Sequence, residues 1–118
     1  MIRFVLAFAI MAGPALAADC DTARQTVAPL TARREEANTR TKTYIEETET
    51  SLLCDPRFWQ LENALIAALA AERPAAQSAA KACGADPDKQ LLDFVDYKLG
   101  DANRNMSEAR RLCKAPPP

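Results

Sequence analysis

Carboxylates are the first residues in this chain whose spacing invites chemistry. Glu46, Glu47 and Glu49 fall within one stretch, and Asp93 and Asp96 lie about one helical turn apart. Paired carboxylates do acid and base work when one of them sits in an apolar pocket that raises its pKa. Here most of them fall off the apolar phase and close to Lys42, Lys89 and Lys98, the pattern of solvated helix faces. Histidine is absent from all 118 residues, which removes the commonest general base and a common metal ligand together. No Ser-x-x-Lys or Gly-x-Ser-x-Gly spacing activates a hydroxyl. Three glycines are too few for a phosphate-cradling loop. The sequence therefore predicts a protein that is not an enzyme and uses no cofactor.

Four cysteines remain: Cys20, Cys54, Cys83 and Cys113. Structural zinc sites draw their ligands in close pairs, about two to four residues apart, whereas these gaps are each about thirty residues. An even number of widely spaced cysteines predicts disulfides if the chain reaches an oxidising compartment. No metal is expected.

The N-terminus supplies the route to such a compartment. Residues 1–17 have the three parts of a cleaved secretory signal: a cation at Arg3, an apolar run from Phe4 to Met11, and a small-residue exit with Ala15 and Ala17 before the cut. The apolar run falls short of the roughly 20 residues a permanent membrane anchor needs. Asp19 before Cys20 is the wrong residue for lipoprotein processing. The mature protein is expected to be periplasmic or secreted.

Residues 18–114 then form one domain with room for one core, followed by a Pro-rich tail at 115–118. Once Arg3 is removed, acidic residues outnumber basic ones by two, the signs alternate, and no basic tract exists. Nucleic acid and anionic membranes are unlikely partners on that charge pattern.

Apolar residues recur at helical spacing throughout. A first helix is predicted to open at Asp21 or Thr22, where Thr22 and Gln25 have capping-box spacing. Its stripe carries Ala23, Val27, Leu30, Ala37, Tyr44, Ile45 and Leu52. The stripe is thin between Thr31 and Thr43, where Arg34 and Thr41 take the inward phase. Pro29 predicts a kink or a short separate helix. Asp55 and Pro56 open a second helix with Phe58, Leu61, Leu65, Ile66 and Leu69 inward, then an alanine-rich half after Pro74 and a stop at Gly84. Asp86 and Pro87 open a third, with Leu91, Val95, Leu99, Ala102, Met106, Ala109 and Cys113 in step.

Short connections make successive helices antiparallel, so the expected fold class is all-α: a small up-down-up three-helix bundle, its first helix long and kinked near Pro29. That topology places Cys20 and Cys83 at one end and Cys54 and Cys113 at the other. Disulfides span only about 4.4–6.8 Å between Cα atoms, so the pairing Cys20–Cys83 and Cys54–Cys113 follows. If the first helix ran on to Cys54 it would overshoot the second by roughly 10 Å, a difference a kink at Pro29 would absorb.

Recognition, rather than catalysis, is the expected function. Trp59, the only tryptophan, is either a cap over the Cys54 disulfide or, with Arg57 beside it, an anchor for a partner. Arg33, Arg34, Arg40, Lys42 and Tyr44 on the polar stretch of the first helix form a second candidate surface. The expected role is a non-catalytic interaction module of the cell envelope, of inhibitor, immunity or assembly-accessory type, whose partner is another envelope or extracellular protein. The alternative is a small-ligand or metal binder using a pocket near Pro29 and Pro74, with Arg34, Thr41 and Glu72 as its polar groups.

Overall fold

The computed structural model describes residues 2–48, 51–115 and 117, with residues 2–18 described for their backbone alone. Three helices account for nearly all of them: α1 (Ile2–Glu47), α2 (Pro56–Cys83) and α3 (Asp86–Leu112). They form an all-α three-helix bundle joined by two disulfides, Cys20–Cys83 and Cys54–Cys113, with Cα separations of 4.8 and 5.4 Å. Both bonds are the ones that antiparallel topology permits.

The local signals that start and stop α2 act as their chemistry dictates. Asp55 is the N-cap: its carboxylate accepts a 2.8 Å hydrogen bond from the Arg57 backbone N–H, one of the donors a helix start leaves free. Pro56 follows, where its missing N–H costs nothing. Gly84 ends the helix at φ 65°, a left-handed conformation that suits glycine, and its N–H bonds the Ala80 carbonyl.

Four expectations are corrected. First, α1 does not open at Asp21 or Thr22, because residues 2–20 are themselves helical and supply the carbonyls that the N–H groups of those positions need. Thr22 therefore caps nothing; its carbonyl accepts from the Thr26 hydroxyl at 2.9 Å. Second, α1 ends at Glu47 rather than near Cys54, so Leu52 packs on the core from the connecting segment instead of from a helical stripe. From Cys20 to Glu47 α1 has the same 28 residues as α2, which removes the overshoot, and α1 continues as one helix through Pro29. Third, the N-cap of α3 is Ala85; Asp86 is already helical and makes no capping bond. Fourth, Ile45 is exposed rather than part of the buried stripe.

The core runs along α2. One end buries Phe58, Trp59, Met106, Ala109 and Cys113 together, with Tyr44, Leu52, Leu53 and Ile66 against them. The middle packs Leu65 and Leu69 on Val95, with Ala37, Leu91 and Leu99 at its margin. At the other end Val27 meets Ala76 and Ala79, whose small side chains let α1 and α2 approach closely. The backbones of α1 and α3 both pack on α2 but nowhere approach each other closely. Only side chains bridge the gap between them.

Candidate functional site

The polar middle of α1 is occupied from the inside. Arg34 is buried and directs Nε to Glu72 Oε1 at 2.8 Å and a terminal nitrogen to Oε2 at 3.2 Å. Thr31, one turn earlier, donates its hydroxyl to the same Oε2 at 2.6 Å. The guanidinium also lies 4.8 Å from the centroid of the Phe94 ring on α3, a cation–π distance. Glu72 is fully buried, and its acceptors are met by this paired arrangement. Thr41, also buried, bonds back to the Ala37 carbonyl at 3.1 Å. Arg34, Thr41 and Glu72 thus satisfy one another or their own helix and do not converge on a ligand. The hollow beside Pro74 is lined by Ala23, Thr26, Ala71, Ala75 and Ser78, without any of the three. That corrects the pocket expected there.

A second ion pair ties the outer helices together near the Cys20–Cys83 bond. Arg24 grips both oxygens of Asp88 at 3.1 and 2.8 Å. The hydrogen bonds from Arg24 hold the Asp88 carboxyl below the usual carboxylate range, against the opposing pull of desolvation.

Trp59 is buried, at 8% exposure, and its indole N–H donates to the Leu53 carbonyl at 2.6 Å. It packs with Phe58, Met106 and Cys113, so it covers the end of the core and leaves little for a partner to grasp. Arg34 is likewise inside rather than on the partner surface. The remaining candidates are placed differently. Arg33 and Arg40 are exposed on α1, and Arg40 pairs with Glu36. Arg40, Tyr44 and Arg57 line one open cleft of about 290 Å³, together with Thr39, Thr43, Glu47 and Leu61. Tyr44 donates its phenol to Asp55; this bond raises the tyrosine pKa and lowers that of the aspartate.

Glu46, Glu47 and Asp96 do not form a carboxylate pair. Glu46 and Glu47 are exposed, with Glu46 facing Lys42 across 4.0 Å, and Asp96 bonds Arg73. Glu49 lies outside the described residues. Among the described residues no group of three His, Cys, Asp or Glu side chains could hold a metal ion.

One carboxylate escaped the sequence reading. Glu62 on α2 is only 4% exposed, yet it borders a second cleft, of about 230 Å³, between α1 and α3. Burial raises its pKa, with the hydrogen bond to Asn105 and the charge of Lys98 opposing and the charge of Asp101 reinforcing. The signal was present: Glu62 stands four residues after Phe58 and three before Leu65, on the apolar phase itself.

Comparison of the chain with protein-family models, curated proteins and solved structures finds no match.

Proposed function

We propose that the protein is a non-catalytic interaction module of the cell envelope, exported by its N-terminal segment and presenting the Arg40–Tyr44–Arg57 cleft to an acidic segment of another envelope or extracellular protein. The observation that carries this reading is the cleft itself. Arginines from two different helices line it together with Tyr44, Leu61 and one carboxylate, Glu47. Arginine and tyrosine are the residue types that dominate binding hot spots. The cleft stands at the end of the bundle where Cys54–Cys113 joins the connecting segment to α3, so little ordering would be required on binding. Arg33 is exposed seven residues before Arg40, on the same face of α1. The inhibitor, immunity and accessory roles all need only such a surface.

Export is supported by the signal-like leader and by the two disulfides, which persist in oxidising compartments. No described helix is long and apolar enough to cross a membrane. Intact mass of protein recovered from the envelope fraction should correspond to a chain beginning at Ala18.

A photo-crosslinking residue placed at Thr43 in the native envelope tests the partner surface. A discrete cross-linked protein that disappears with Arg40→Glu combined with Arg57→Glu is the expected result. Cross-linking that is absent, or indifferent to both charge reversals, would sink the proposal.

A further inference from the structure

Two glutamates are buried on α2, and their surroundings differ in one respect. Glu72 is matched by the Arg34 guanidinium and the Thr31 hydroxyl. Among the described residues Glu62 forms no ion pair; the groups that act on its carboxyl are the neutral Asn105 amide and the charges of Asp101 and Lys98. A buried carboxyl without a matching charge is costly to keep, and a leucine at this phase would simply extend the core.

The space beside Glu62 has the form of an incomplete ion pair. It is open on one side, where α1 and α3 stand apart, and its walls combine apolar surface from Ile45, Leu65 and Ala102 with the Asn38 and Asn105 amides. Neither lysine at its rim forms an ion pair with the carboxylate: Lys42 lies 4.0 Å from Glu46, and the Lys98 ammonium lies 5.8 Å from the Phe94 centroid. Asp101 adds a second negative group at the edge. The volume is below the roughly 300–1,000 Å³ of sites for drug-sized ligands, so the occupant must be small.

We propose that this cleft binds a small organic cation, whose ammonium or guanidinium pairs with the Glu62 carboxylate as Arg34 pairs with Glu72, and whose short alkyl part lies on Ile45, Leu65 and Ala102. The cation is either a free molecule or the head of a lysine or arginine side chain on a bound protein. This site is separate from the Arg40–Tyr44–Arg57 cleft and does not depend on it.

NMR titration of the full chain with n-butylguanidinium, and with uncharged n-butylurea as the isosteric control, tests the proposal. Saturable shifts centred on the amides around Glu62, Ala102 and Asn105 are expected. Affinity should be about tenfold lower for the urea and for Glu62→Gln, the size of one charge-assisted hydrogen bond. In the wild-type chain, affinity should rise with pH as Glu62 ionises, and should still do so after Asp101→Asn. Lys42 and Lys98 are the other charged groups facing the carboxyl. This arm stands even if the glutamine variant fails to fold. Equal shifts with both probes, or a pH-independent affinity, would overturn the assignment. A blocked tripeptide with a central arginine separates the two sources: binding comparable to butylguanidinium identifies a partner's side chain, and rejection alongside tight butylguanidinium binding identifies a free molecule.

Discussion

Arg34 and Glu72 occupy positions where a bundle of this size would ordinarily place leucines. Their pairing is nearly dry, with side-chain exposures of 8% and 0%, so solvent screens it little. Removing one partner strands the other charge, and Arg34→Ala or Glu72→Ala should each cost about 3–5 kcal/mol. Replacing both by apolar residues, Arg34→Met with Glu72→Leu, should be close to neutral or stabilising by about 1–4 kcal/mol. Urea unfolding of the wild type and the three variants measures both effects. A double variant as unstable as the singles would mean that the Thr31 and Phe94 contacts, rather than the missing charge, dominate the loss.

At the scale of elements, both ends of α2 are held by single residues, Asp55 and Gly84. Gly84 is the clearest, because an added Cβ meets no neighbour, so any cost of Gly84→Ala must come from its positive φ. That cost should be about 1–2 kcal/mol, readable as a drop in urea midpoint at unchanged slope. The elements legible in the sequence were those with local causes: the Asp55–Pro56 opening, the Gly84 stop, and the unbroken α3 stripe from Leu91 to Ala109. The end of α1 was not legible, since Thr48 to Leu53 carry no proline or glycine and the apolar spacing to Leu52 continues in phase. What ends the helix there is tertiary: Leu52 and Leu53 turn in to cover the core beside Trp59. The clefts were less legible still. Each draws walls from more than one helix, and their relative rotation is set by packing rather than by any one helix's periodicity.

The whole molecule balances carboxyls shifted in opposite directions. Asp88 and Asp55 have lowered pKa values, so they contribute stability above the ordinary carboxylate range and lose it as pH falls through their lowered values. Glu62 has a raised pKa; its contribution is complete below the unfolded-state value and is lost as pH rises through the folded one. Stability should therefore pass through a maximum on the acidic side of neutrality. Glu62→Gln should remove the decline on the alkaline flank while leaving the acid flank unchanged, as followed by urea unfolding from about pH 3 to about pH 8. An alkaline flank that survives the substitution would place its cause elsewhere.

The two disulfides also interlace along the chain, since Cys54 lies within the segment closed by Cys20–Cys83 and Cys113 lies outside it. If exported as proposed, the chain emerges from a membrane channel N-terminus first and offers its thiols in numerical order. The first two to meet an oxidant are Cys20 and Cys54, a pair absent from the native fold. Oxidation in order of arrival therefore makes a wrong bond, and thiolate exchange must undo it before Cys83 and Cys113 can find their partners. Maturation should thus depend on an isomerase as well as an oxidant. Cells lacking one should accumulate a species that non-reducing peptide mapping identifies by its Cys20–Cys54 bridge.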